Sequence, residues 1–149
     1  MRAYIDTNIL VDLVLARQEF LPDAQRVFAL GYAGEVQLVV SALSYVNTIY
    51  LGRKYKYPMY QVYSKLRLIA DFVDVADLSG QNVVDMLSSG WKDYEDATQH
   101  RLAVDEQADC IVPATKKISW PVLLQYLPPK NSLTKLTQSK FLMHIKKIY

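Results

Sequence analysis

Short apolar segments alternate with helix-spaced segments from Ala3 to Val112, and this alternation restricts the fold more than any other feature of the chain. Ala3-Tyr4-Ile5, Val36 to Val40, Phe72 to Val75 and Cys110-Ile111-Val112 have the length and apolar character of buried strands. Helical patterns fill the gaps. Ile9, Leu10, Leu13 and Val14 share one helix face, and Pro22 suits the first turn of a helix that Gly31 and Gly34 are expected to end. Ser41 is a cap for a helix to about Leu51, with Gly52, Arg53 and Lys54 at its C-terminus. Further helices are expected from Pro58 to about Ala70, from Ser79 to before Gly90, and from Asp93 to Gln107. Strands separated by helices form βαβ units, which predicts an α/β fold with a parallel sheet and helices on both faces. In such sheets ligands bind beyond the carboxyl ends of the strands, where Asp6 stands.

Composition closes off several classes. A chain of 149 residues with 51% apolar residues supports one globular domain with a real core. A single cysteine, Cys110, excludes an internal disulfide framework. No apolar run approaches ~18 residues and no signal-peptide pattern opens the chain, so no membrane association and a cytoplasmic location are expected. The net charge of +2 hides a division. All 15 acids fall between Asp6 and Asp109, which leaves residues 1–112 at −5, whereas residues 113–149 hold seven Lys and no acid, for +7.

Three pieces bear on chemistry. Asp6-Thr7-Asn8 directly follows the first strand, and by itself is as well explained as a helix cap. Asp93 and Asp96, three apart, lie near a helix N-terminus, where carboxylates are stabilised by the helix dipole. Asp12 falls one and a half turns after Asp6 and fits either face. Read together, Tyr4-Ile-Asp-Thr-Asn-Ile-Leu-Val-Asp12, Ser41-Ala-Leu-Ser-Tyr-Val-Asn47, Asp93-Tyr-Glu-Asp96-Ala-Thr-Gln and Ala108-Asp-Cys-Ile-Val112 resemble PIN-domain proteins in order and spacing. The resemblance covers residues 3–112 and implies a three-layer α/β/α sandwich with a parallel sheet of four to five strands.

The same resemblance implies a divalent-metal-dependent endoribonuclease, resembling the toxin of a toxin–antitoxin pair. Its expected cofactor is Mg²⁺ or Mn²⁺, and its partners an RNA substrate, an antitoxin protein and a second copy of the chain. Asp6 and Asp96 would hold the metal, with Asp93 as a nearby outer-shell or second ligand, and Thr7 and Asn8 would orient Asp6 and shape the phosphate approach. Hard cations of this kind need only one or two direct carboxylates besides water and phosphate. Two positions depart from the family pattern. Asn47 stands where a glutamate is usual; its amide coordinates through oxygen but adds no charge. Thr115 stands in place of the fourth acid. Both departures support an alternative reading, a catalytically impaired PIN-like module that binds RNA or an antitoxin without cutting. A phosphoacceptor receiver has the same alternation but needs paired acids after the first strand and an aspartate after the third, and neither arrangement is present.

The carboxyl end differs from the rest. Residues 113–149 form a divergent basic segment beside a PIN-like domain at residues 1–112. Pairing the third base of each codon with the first two of the next, Val112 to Ser119 permits Thr-Arg-Asn/Asp-Lys-Lys-Asp-Phe, the family's usual continuation. Residues from about Pro113 are therefore read as a shifted frame, against the alternative of an ordinary Lys-rich tail. Nucleotides incompatible with that continuation would overturn the shift. Within the tail, a strand at Pro121 to Tyr126 and a docking helix carrying Leu136, Phe141, Leu142 and Ile145 are expected.

Six tyrosines between Tyr45 and Tyr63 stand among Arg53, Lys54, Lys56 and Lys65. Packing is expected to use about half; the rest suit base stacking or a protein interface, and the resemblance, which implies dimerisation through this region, favours the interface. His100 and His144 are isolated and have no metal-ligand spacing.

Overall fold

The computed structural model describes residues 1–114. Ten elements follow one another: β1 (Arg2–Ile5), α1 (Thr7–Val14), α2 (Leu21–Tyr32), β2 (Gln37–Ser41), α3 (Ala42–Lys54), α4 (Met59–Ala70), β3 (Val73–Ala76), α5 (Gly80–Leu87), α6 (Tyr94–Asp105) and β4 (Cys110–Val112). The four strands make one parallel sheet in the order β3-β2-β1-β4. The mixed fold with a parallel sheet and flanking helices is the α/β/α arrangement expected from the alternation. Thr115, His144 and the strand and helix expected in the tail lie outside the described residues.

Connection order explains the layers. The chain steps from β1 to β2 to β3 in one direction, then returns across the sheet to β4 beside β1. Right-handed crossovers place the helices of the two directions on opposite faces. One face accordingly packs Ala3, Ile5, Leu38, Val40 and Val73 beneath α1, α2 and α4, with Leu10, Phe28 and Ile69 buried. The other packs Tyr4, Val39 and Ala76 against Leu102 and Ala103 of α6. Alternate strand residues thus serve alternate faces, as the two-residue period of a strand demands.

Local chemistry sets most boundaries as expected. Ser41 caps α3 by accepting the Ser44 N–H at 3.0 Å, and Ser79 caps α5 through the Asn82 N–H at 3.1 Å. Pro22 occupies the first turn of α2. Two glycines expected at helix ends lie inside helices instead. A Cβ on Gly31 would sit 2.4 Å from Leu38 Cδ1, so this glycine lets α2 approach the sheet closely. At Gly52 a Cβ would meet Val62 at 3.1 Å, where α3 packs on α4. The turn after α2 falls on Gly34, whose φ of +72° suits glycine. The last helix is shorter than its pattern: α6 starts after Asp93 and ends at Asp105, and Gln107 turns away with φ 53°.

At the amino ends of the strands, Arg2 binds Asp74 and Glu106 at 2.5 Å each and donates to the Glu106 carbonyl at 2.8 Å. This ties β1 to β3 and α6 at the edge opposite the candidate site.

Candidate functional site

All four strands being parallel, their carboxyl ends share one edge. The strand order reverses between β1 and β4, so the switch point lies there. Asp6 occupies it. Its backbone N–H donates to the Val112 carbonyl at 3.1 Å, continuing the β1–β4 pairing by one bond, and its carbonyl accepts the Ile9 N–H at 3.1 Å. One carboxylate oxygen accepts the Asn8 N–H at 2.7 Å and caps α1. The cap and the candidate site are therefore the same side chain, with the second oxygen left over.

Thr7 is buried and points from the same turn toward α3. Its hydroxyl lies 2.7 Å from that of Ser44, which in turn lies 2.9 Å from Ser41 Oγ. This chain of hydroxyls fastens the β1–α1 turn to the start of α3. Asn8 is exposed and contributes its backbone N–H to Asp6. Asp12 is settled by Arg17, which bonds its carboxylate; burial pushes the Asp12 carboxyl up and Arg17 partly opposes that. Asp12 thus anchors the end of α1 locally.

The acids of α6 approach from the other side. Asp93 is the N-cap, accepting the Glu95 and Asp96 N–H groups at 2.9 and 3.1 Å on one oxygen. Asp96 is exposed, and its carboxylate makes no hydrogen bond among the described residues. Burial, and then the negative charges of Asp6, Asp93 and Asp96, push the Glu95 carboxyl above its ordinary value. All three expected acids thus lie near enough to Glu95 to disfavour its charge, and none is ion-paired among the described residues. They are not drawn into a tight ligand set: among the described residues no group of three or more His, Cys, Asp or Glu side chains stands close enough to form a metal site. The donor chemistry nonetheless fits a hard cation, which needs only one or two carboxylates and takes its remaining ligands from water and phosphate.

Asn47 stands on α3 apart from a carboxylate role. It faces a cavity of about 390 Å³ that it shares with Tyr4, Thr7, Glu95, Gln99 and Leu102. Tyr4 is fully buried, and its hydroxyl is without a hydrogen-bond partner. Burial pushes that hydroxyl above its ordinary value and Ser41 partly offsets the effect. Ser41 Oγ bonds Ser44, and no contact of the Tyr4 hydroxyl has hydrogen-bond geometry among the described residues.

Two of these residues escape a reading by motif. Glu95 sits between the two aspartates that draw attention, and Tyr4 lies two residues before Asp6, on the same strand face. Only the period of the strand, carried from Asp6 back to Tyr4, points to the second. His100 is exposed and lies against Trp91, with ring centroids 5.2 Å apart. Of the six tyrosines, Tyr45 and Tyr57 pack on the core, whereas Tyr50, Tyr55, Tyr60 and Tyr63 are exposed.

A family model described as PIN domain matches residues 2–116. The chain belongs to the PIN-domain family. A comparison with curated proteins finds no match. As a PIN domain the chain has a nuclease-type fold. Among the described residues no helix is long and apolar enough to cross a membrane.

Proposed function

We propose that this PIN domain is a divalent-metal-dependent endoribonuclease of toxin type. The observation that supports the proposal is the position of Asp6 at the switch point of the sheet, with Asp93 and Asp96 at the start of α6 and all three close enough to Glu95 to disfavour its charge. Clustered carboxylates without counter-charges among the described residues are electrostatically costly, and a cation relieves that cost. Asp6 and Asp96 are the residues that would hold Mg²⁺ or Mn²⁺, with Asp93 supporting them. A bound ion of this kind supplies an activated water and neutralises charge on the phosphate. Asp6 is held by the Asn8 N–H beside a turn that Thr7 pins to Ser44, which leaves its second oxygen without a protein partner among the described residues. Asn8, exposed beside it, would meet the phosphate.

The exposed Tyr50, Tyr55 and Tyr60, with Arg53, Lys54 and Lys56, support a protein interface on α3 and α4, formed with a second copy or an antitoxin. A small adjacent gene whose product copurifies with the chain would bear out the toxin role.

Asn47 favours a second reading, in which the domain binds RNA without cutting it, because an amide replaces a charge at the edge. The test is cleavage of a structured RNA with Mn²⁺ by the wild-type chain and by Asp6→Ala. The expected loss is at least about 100-fold, the equivalent of the several kcal/mol a metal supplies. Equal cleavage by both proteins removes the nuclease assignment from this edge. In parallel, Mn²⁺ is expected to raise the melting temperature of the wild-type chain and not that of Asp6→Asn, since an ion that binds only the folded state stabilises it.

A further inference from the structure

The cavity beside the acids has a composition that the acids do not explain. Its walls include Leu43, Leu102 and Tyr94, and among the described residues no Lys or Arg lines it. Two polar side chains line it without protein partners among the described residues. The Asn47 and Gln99 amides make no hydrogen bond there, although Gln99 is only 8% exposed. An amide held largely out of water without a partner is a penalty to the fold, which a ligand that donates and accepts in the cavity would relieve.

We propose that this cavity receives a nucleobase of the RNA strand, the one next to the phosphate held at the acids. The inference rests on the nuclease reading of the same edge and adds to it how the strand is gripped. A base is flat and apolar on its faces and polar on its rim. That matches leucine walls, the aromatic ring of Tyr94, and the Asn47 and Gln99 amides, which both donate and accept. Among the described residues Glu95 stands at the cavity and no Lys or Arg does, which disfavours the phosphate there. The volume of about 390 Å³ lies at the small end of ligand pockets, which suits one base and not a larger ligand. Enzymes that handle single nucleotides take the base between apolar or aromatic walls and read its edge by hydrogen bonds in this way. Asn47 thereby acquires a role that a glutamate at this position would not fill as well, since an amide both donates and accepts.

The experiment titrates the full chain with each of the four ribonucleosides in the presence of a chelator, following the backbone amides of Asn47, Thr98 and Gln99 by NMR. Nucleosides carry no phosphate, so the acids do not repel them and no metal is needed. At least one nucleoside is expected to shift these amides saturably, and ribose alone is expected to leave them unmoved. Leu43→Trp fills the cavity from a partly exposed position and should weaken binding at least about 10-fold, while Gln99→Leu should weaken it about 5-fold through the lost amide hydrogen bond. Thermal melts of both variants establish that they fold. The proposal is overturned if no nucleoside moves the three amides at about 10 mM, a concentration that would reveal even mM affinity. It is equally overturned if ribose gives the same shifts or if folded Leu43→Trp binds as the wild type does. Cleavage by Asp6→Ala reports on the other claim: loss of cleavage without base binding removes the recess and leaves the nuclease, and base binding with unchanged cleavage does the reverse.

Discussion

Beneath α1, α2 and α4 the sheet buries a continuous core that includes Leu10, Phe28, Leu38 and Ile69. Across the sheet, α6 supplies Leu102 and Ala103, and α5 buries no residue at all. Val84 and Leu87 of α5 are instead 59% and 73% exposed. One face therefore carries the stability of the domain, and the thinly covered face carries the cavity and the acids of α6. The division has a physical basis. A close-packed interior has no room for a ligand and forces buried polar groups to pair, whereas sites with unpaired groups need a region that packs loosely.

Matched truncations are the strongest way to break this contrast. Leu10→Ala, in the thick core, is expected to cost about 4–5 kcal/mol in urea unfolding, and Leu102→Ala, beside the cavity, about 2 kcal/mol, near the two ends of the range for buried leucines. Both side chains are almost fully buried, so exposure does not separate them. Equal costs would show that the two faces pack equally well.

Lys65 sharpens the contrast from within the thick face. It is 5% exposed, its ammonium donates to the Val14 carbonyl at 2.9 Å, and burial pushes its pKa down to about 8. In the unfolded chain a lysine titrates near 10.4. Below pH 8 both states are protonated, and the folded one bears the full penalty of a buried charge. Between about pH 8 and 10.4 the unfolded state binds more protons, so this residue makes stability rise with pH, by at most about 3 kcal/mol. Thermal melts from pH 7 to 10 should show the rise, and Lys65→Met should flatten it. A profile unchanged by the substitution would mean that the ammonium is solvated and this face more open than its packing suggests.

These two faces were not equally legible in the amino-acid pattern. Strand–helix alternation, Ser41 as a cap and Asp6 at a strand end are local signals, and each leads directly to its place in the fold. Gly31 and Gly52 mislead because a glycine at a helix end and a glycine at a close crossing look alike in one dimension; only Leu38 and Val62 distinguish them. The site was half visible for a similar reason. Asp6, Asp93 and Asp96 stand out as acids at element boundaries, but Glu95 becomes relevant only through the charges folded around it. The unpaired state of the Tyr4 hydroxyl depends on how Val39, Ala76 and Leu102 bury it, a fact of tertiary structure alone.

Glu95 provides the smallest and most discriminating effect. Burial and three neighbouring aspartates raise its pKa, so its ionised form is less favourable in the folded chain than in the unfolded one. The folded state then holds the proton to higher pH, and stability falls as pH rises through the carboxylate range. Because the side chain is largely exposed, solvent screens the effect and only a slight gain is expected from Glu95→Gln at neutral pH in a chelator. The direction carries the information. If the thin face gathers acids in order to hold a cation, Mn²⁺ satisfies the same carboxylates that repel Glu95, and the advantage of Glu95→Gln should shrink or reverse when the ion is added. An advantage that stays constant with and without Mn²⁺, measured by thermal melts at equal ionic strength, would show that these charges merely coexist on a poorly covered surface and do not act together on an ion.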